Sequence, residues 1–218
     1  MKPITAVVLG AGSRGWTYSA YAKEYPEELQ VVAVAEPRAD RRNMLADELN
    51  IPEANRFASW QELLAQPRMA DCAFVCTMDD DHIGPAIRAM ELGYHVLLEK
   101  PMSNKEEECR AIEAAAAKAG RILTVCHVLR YTPFYNTIRN IIRSGELGEI
   151  MTFNANEGVG AWHFGHSFVR GHWGNSEKST PMIVAKCCHD MDLICWLNGK
   201  KPAHIASFGH RSHFVLKN

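Results

Sequence analysis

Three things are scarce in this chain, and each scarcity removes a class of function. Net charge is almost absent: 24 lysines and arginines stand against 25 aspartates and glutamates, a formal −1 over 218 residues. No basic field invites nucleic acid or an anionic membrane, so neither is expected as a partner. Long apolar runs are missing too, and no stretch reaches the roughly 20 residues of a membrane-spanning helix. The amino-terminal MKPITAVVLGAG has one lysine before a short apolar run that ends in glycines. It lacks a small-residue cleavage site and reads as a strand, not a secretion signal. Metal-ligand spacing is the third absence. The seven cysteines, at 72, 76, 109, 126, 187, 188 and 195, are odd in number and fit no common zinc pattern. Cys187 and Cys188 beside His189 do not form a ligand set, because adjacent helical residues point to different sides, and no metal is expected. Cysteines lying mostly inside apolar segments suit reduced, buried thiols in a cytoplasmic protein.

What is present is a rhythm. ITAVVL (4–9) is a β-branched apolar run, the mark of a fully buried strand. GAGSRG and a helical stretch to about Tyr25 follow, then a second strand, VVAVAE (31–36). RADRRNMLADELN and SWQELLAQ read as helices, the latter with a Ser59/Glu62 capping box. DCAFVCTM is a strand, IGPAIRAMELG a helix stopped by Gly93, HVLLEK the fifth strand and ILTVCHV the sixth. Ser103 and Glu106 suggest a second capping box, before a helix that buries Cys109, Ile112, Ala116 and Ala119. Strands alternating with helices imply a parallel sheet covered on both faces. After residue 129 the rhythm changes. PFYNTIRNIIRSG is expected as a helix with Phe134, Ile138, Ile141 and Ile142 on one face, and EIMTFNANEG as a strand. Residues 159–179 read as a long loop. A helix follows with Thr180 as N-cap, Pro181 at its first position and Gly199 as stop, and HIASFGHRSHFVLKN supplies one or two strands.

Gly10, Gly12 and Gly15 form G-x-G-x-x-G between a strand and a helix, the context in which that pattern binds a dinucleotide. Gly10 allows the tight turn, Gly12 the approach of a pyrophosphate and Gly15 close helix packing. Ser13 and Arg14 complete the loop at the helix N-terminus, which offers N–H groups to phosphates. Glu36, 21 residues after Gly15, suits a ribose 2′-hydroxyl and repels a 2′-phosphate, so NAD is favoured over NADP. Arg38 lies close behind, with Arg41 and Arg42, and weakens that preference. In VLLEKPMS the fifth strand ends on Glu99 and Lys100, on the edge that carries the glycine loop. A lysine there can exchange the proton of a carbinol whose hydride leaves, if its pKa falls toward neutrality. Pro101 holds Lys100 extended.

GAGSRG, VVAVAEP, GYHVLLEKP and CCHDMDLICWLNG, in this order, resemble the glucose–fructose oxidoreductase/inositol dehydrogenase/MocA-like family over essentially the whole chain. The resemblance implies an α/β fold. A doubly wound Rossmann domain (1–129) would precede an α+β substrate domain (130–218) with a mostly antiparallel sheet. Family members are longer, so the second-domain sheet is expected to be incomplete with an exposed edge: either the chain is truncated or another segment completes the fold. The resemblance further implies an NAD(P)-dependent dehydrogenase of a sugar or polyol, forming homo-oligomers through the second-domain sheet. Lys100 would be catalytic, with a cis bond to Pro101, and His189 would face the nicotinamide. Where members carry an aspartate four residues before that histidine, this chain has Ala185, and Lys186 is the candidate partner. Asp192 and Trp196 are expected to pack. Thr77 and His82 would lie near the cofactor, and Arg130, His163, Arg170 and Trp173 near the substrate. Two rival activities remain: a redox-neutral NAD-dependent glycosidase and a non-catalytic dinucleotide-binding protein.

Overall fold

The computed structural model describes residues 2–175, 179–210 and 212–215. The chain divides into two compact units, 1–126 and 127–218, three residues before the expected boundary. No helix among the described residues is long and apolar enough to cross a membrane.

The first unit is a six-stranded parallel sheet in the order β3-β2-β1-β4-β5-β6. Its strands are β1 (Ile4–Leu9), β2 (Leu29–Ala35), β3 (Arg56–Phe57), β4 (Cys72–Val75), β5 (His95–Leu98) and β6 (Leu123–Val125). The helices between them are α1 (Ser13–Glu24), α2 (Ala39–Glu48), α3 (Trp60–Leu64), α4 (Ile83–Glu91) and α5 (Glu106–Ala119). This is the doubly wound dinucleotide-binding order, with its switch between β1 and β4. Ala6, Val7, Val8 and Leu9 have no exposed surface, because cores lie on both sheet faces. Val7 and Leu9 pack with Ala33, Ala73 and Val75 against Leu63 and Leu64 of α3, Ala86, Ala89 and Met90 of α4, and Ile112 of α5. Ala6 and Val8 pack on the other side with Ala22 of α1, Leu45 and Ala46 of α2 and Phe74.

β3, the strand that the sequence rhythm does not locate, has only two residues, too few to show a period. One local expectation changes. The N-cap of α5 is Lys105, not Ser103. The Ser103 hydroxyl accepts from Lys105 N–H at 3.1 Å and donates to Glu108 at 2.6 Å, so it organises the turn before the helix without capping it. Ser59 does cap α3, accepting from Glu62 N–H. Ile112 and Ala116 are buried as expected, while Cys109 and Ala119 are only half-buried.

The second unit contains α6 (Pro133–Ser144), α7 (Ala161–Phe164) and α8 (Met182–Asn198). α6 has Thr132 as N-cap and a left-handed Gly145 as stop, but buries no residue: Phe134 is 67% exposed and Ile141 42%. Residues 159–175 are not the expected loop. α7 runs into a π-type turn (Gly165–Val169) and then a 3-10 turn (His172–Gly174). The cause is aromatic packing at helical spacing, with Phe164 5.9 Å from Phe168 and stacked on Phe214 at 4.9 Å. The strands expected at 149–158 and 204–218 are not formed among the described residues. A strand needs a neighbour for its N–H and C=O groups, and among the described residues no strand of the second unit supplies one. Residues 176–178, 211 and 216–218 of the expected loop and strands lie outside the described ones. α8 starts one residue later than expected, with Pro181 in the cap position. Thr180 is fully buried and its Oγ1 caps nothing. Gly199 ends α8 in the left-handed conformation, as expected.

Ile112, fully buried against the sheet, gives a direct check on the first unit. Ile112→Ala is expected to lose about 2–5 kcal/mol in urea unfolding, the scale of a large-to-small core change.

Candidate cofactor site and catalytic lysine

The register of the sheet sets the site. Ala35, Leu9, Val75, Leu98 and Val125 pair side by side across five strands. The next residue of each strand is therefore level with the others: Glu36, Gly10, Cys76, Glu99 and Cys126. Each is still held by a sheet-like bond, Gly10 N–H to Ala35 O (2.8 Å), Cys76 N–H to Leu9 O (2.8 Å), Glu99 N–H to Val75 O (2.9 Å) and Cys126 N–H to Leu98 O (2.8 Å). Glu36 N–H donates to Phe57 O at 3.1 Å. The loop glycines, the acid after β2 and the Glu99–Lys100 pair thus share one rim, with Glu99 about 10 Å from Gly10 at two strand spacings.

A cavity of about 530 Å³ opens on this rim. Its lining includes Gly10, Gly12, Glu36, Arg41, Trp60 and Thr77. That volume is within the usual range for small-molecule pockets. The glycines divide by role. A Cβ on Gly10 (φ +100°) would stand 2.5 Å from Cys76 O, and one on Gly15 2.1 Å from Gly10 O. A Cβ on Gly12 would meet only Arg41, at 3.9 Å, so the space there is kept for something else. The α1 N-terminus behind Gly12 has no side-chain cap and no acid in its first turn, which suits a pyrophosphate. Ser13 opens α1 and its carbonyl accepts from the Thr17 hydroxyl at 2.8 Å.

Glu36 is 7% exposed and firmly oriented. It accepts from Ala11 N–H at 2.9 Å and from Arg38 N–H at 3.0 Å. The three arginines behind it have separate tasks. The Arg38 side chain, expected at the cofactor, turns outward to pair with Asp40 at 2.8 Å, and that bond holds the Asp40 carboxyl below its usual range. Arg42 donates to Glu36 O at 2.6 Å. Arg41, absent from the expected cofactor set, is the one that lines the cavity. Its position one helical turn past Arg38 was the available signal.

Glu99 is 6% exposed. One oxygen accepts from Lys100 N–H at 2.8 Å, and the other from the Tyr18 hydroxyl, with Arg14 Nε 3.8 Å away. Sequence reasoning missed Tyr18, whose hydroxyl reaches Glu99 across 81 positions. Burial first, with hydrogen bonding to Cys126 and Glu99, pushes the Tyr18 pKa up, so the phenol remains a proton donor. Burial also pushes Cys126 up to about 11 and Cys76 well above the normal thiol value. Lys100 follows Glu99, half-buried, and its peptide bond to Pro101 is cis, as expected. Thr77 lines the cavity and donates to Asp81 O at 2.9 Å. His82, expected at the cofactor, is 1% exposed and faces the carbonyls of Thr77 and Pro101.

In the second unit, Lys186, His189 and Asp190 share a stripe of α8, and Ala185 is buried. The His189 ring meets His127 edge-on at 6.0 Å. Arg130, expected at the substrate, is already engaged: it donates from Nε to Asp192 at 2.7 Å and from Nη2 to the other carboxylate oxygen. Asp192 and Trp196 are therefore more than packing residues. Trp196 has Arg139 over its ring at 4.2 Å and Arg130 at 5.9 Å. Lys186 Nζ stands 6.0 Å from the Phe168 ring, which also meets His163 at 6.4 Å and Trp173 at 6.0 Å. Arg170 is exposed.

Residues 4–127 match the pattern described as "Oxidoreductase family, NAD-binding Rossmann fold", GFO/IDH/MocA. The chain belongs to the GFO/IDH/MocA family. Residues 135–215 match the GFO/IDH/MocA C-terminal domain. Among relatives of this family, the putative oxidoreductase YteT of Bacillus subtilis (strain 168) is 27% identical over 145 residues, 66% of this chain and 33% of its own length. Inositol 2-dehydrogenase of Corynebacterium glutamicum (strain R) is 25% identical over 201 residues, 92% of this chain and 56% of its own. The WlbA dehydrogenase from Bordetella pertussis, solved in complex with NADH and UDP-GlcNAcA, superposes with a TM-score of 0.75 at 22% identity. That match covers 90% of this chain and 55% of the other, and shows the fold. The chain thus spans from a third to just over half the length of these GFO/IDH/MocA relatives.

Three outcomes follow from the glycines and the acid. Gly12→Ala is expected to weaken NAD binding by about tenfold or more while leaving the thermal midpoint nearly unchanged. Gly10→Ala should lower the midpoint itself, since its Cβ strikes backbone. Glu36→Ala should weaken NAD and narrow its advantage over NADP, measured by calorimetry with both dinucleotides.

Proposed function

We propose that this chain supports hydride transfer between NAD and a hydroxyl of a sugar or polyol. The observation that carries the reading is the shared rim. An acid fitted to a ribose, a glycine loop open to a pyrophosphate and a lysine leave the sheet at one level, in the order a bound dinucleotide would meet them. The family supports the reading, as does the inositol 2-dehydrogenase among its relatives. NAD, when bound, supplies the hydride acceptor or donor.

The protein's own part is to hold and move a proton. Lys100 Nζ takes the carbinol proton as the hydride leaves, and returns it in the reverse direction. Glu99 and Tyr18 fix the backbone from which Lys100 projects. Glu36 and the α1 N-terminus orient the dinucleotide, which removes much of the entropic cost of the encounter. In the second unit His189 positions or relays the same proton, with Lys186 in place of the aspartate that Ala185 replaces. His163, Arg170 and Trp173 recognise substrate hydroxyls and a ring face. Arg130 contributes by holding Asp192. The same reading includes a homo-oligomer assembled through the second unit, supported by its exposed Met151, Ile205 and Phe208. A cytoplasmic location is supported by seven free cysteines.

A panel of sugars and polyols with NAD, followed by NADH absorbance, tests the reading. Lys100→Ala is expected to keep NAD affinity and lose hydride transfer by about 10²-fold or more, the scale of acid–base catalysis. Unchanged turnover would remove Lys100 from the mechanism. Release of phenol from p-nitrophenyl glycosides without net NADH would replace the dehydrogenase with a redox-neutral glycosidase.

A further inference from the structure

We propose that His82 is a positioning residue for Lys100, acting through the carbonyl of Pro101 and not on a ligand. The inference builds on the reading of Lys100 given above. At 1% exposure, the ring has no surface to offer a dinucleotide or a sugar. Both of its nitrogens face carbonyl oxygens: Nδ1 lies 2.9 Å from Pro101 O, and Nε2 lies 3.3 Å from Thr77 O. A carbonyl only accepts, so each contact is a hydrogen bond only when that nitrogen carries a proton. A neutral imidazole carries one, and the shorter contact assigns it to Nδ1.

The ring stands between the exits of two neighbouring strands. Thr77 is two residues past the end of β4, and Pro101 three residues past the end of β5. Its own base is rigid. His82 sits at the head of α4, whose Ala86, Ala89 and Met90 are fully buried in the core. Thr77, on the other side of the ring, is tied to Asp81 O. Lys100 is thus gripped on both sides: its N–H is held by Glu99 at 2.8 Å, and the carbonyl of the next residue by His82 at 2.9 Å. Fixing the backbone on either side of a residue fixes the direction in which its side chain starts. A long side chain amplifies any error in that direction, and a misplacement of about 1 Å can cost roughly 10²-fold in rate.

The bond can be kept or removed by two amide side chains of different reach. Asparagine places its amide nitrogen where Nδ1 stands, and glutamine reaches toward the position of Nε2. His82→Asn is expected to lose turnover by less than about threefold. His82→Gln is expected to lose at least about tenfold in kcat, with similar NAD affinity and a thermal midpoint matching that of His82→Asn. Equal losses in the two variants would reduce His82 to a core residue and overturn the proposal. A readout independent of turnover uses the intact wild-type chain. Long-range ¹H–¹⁵N spectra, with the His82 signals identified by their loss in His82→Asn, should show Nδ1 protonated; a proton on Nε2 alone overturns the proposal. If no sugar or polyol is turned over, the dehydrogenase reading fails by itself. The role of His82 is then decided by that spectrum and by labelling of Lys100 with an amine reagent. Different labelling rates in the Asn and Gln variants support it, and equal rates refute it.

Discussion

Parallel strands paired in register leave a sheet together, and the chemistry of the first unit depends on that constraint. Ala35, Leu9, Val75, Leu98 and Val125 stand side by side, and each strand contributes its next residue to the rim while its N–H still donates to the neighbouring strand. The glycine loop, the acid after β2 and the lysine mount are therefore as rigid as the sheet. A slip of one residue in any strand would turn its side chains to the opposite face and remove its member from the rim. The fully buried Val7, Val8 and Leu9 make such a slip costly, since it would exchange the side chains that fill two separate cores.

Much of this rim was legible in the sequence because its signals are local. ITAVVL announces a doubly buried strand, and glycines directly after it announce a turn that only glycine can make. The Cβ contacts at Gly10 and Gly15 give the physical reason. Glu36 was legible from spacing. What escaped was the support for these residues, which comes from distant parts of the chain. Tyr18 reaches Glu99 across 81 positions and His82 reaches Pro101 across 19. Neither pairing leaves a trace in any periodic pattern. The arginines after Glu36 show the same limit. Their closeness in sequence suggested one shared task, and the fold divides them among an ion pair, a backbone carbonyl and the cavity wall.

The second unit was harder to read because polar and aromatic residues carry its organisation. Phe164 and Phe168 are spaced for a helix, but glycines and histidines around them hide the period. Arg130, Asp192, Trp196 and Arg139 form a charged and aromatic cluster whose members lie on three separate segments. Such residues look like ligand-binding groups in a sequence, and here one of them, Arg130, is bound to its own protein. Strand propensity misled for a different reason. A β-rich segment becomes a strand only when another strand accepts its hydrogen bonds, and propensity does not say whether one exists.

The sulfur at the rim has a consequence for chemistry from outside. Cys76 and Cys126 directly follow β4 and β6, on either side of Glu99 after β5, and burial holds both as thiols. With a pKa of about 11, Cys126 exists as thiolate in only about one molecule in ten thousand at neutral pH. Peroxides and alkylating agents react with the anion, so an oxidant entering the crevice would find little to attack at these two positions. The unit places sulfur beside its most exacting geometry without making that geometry answer to the redox state of the cell.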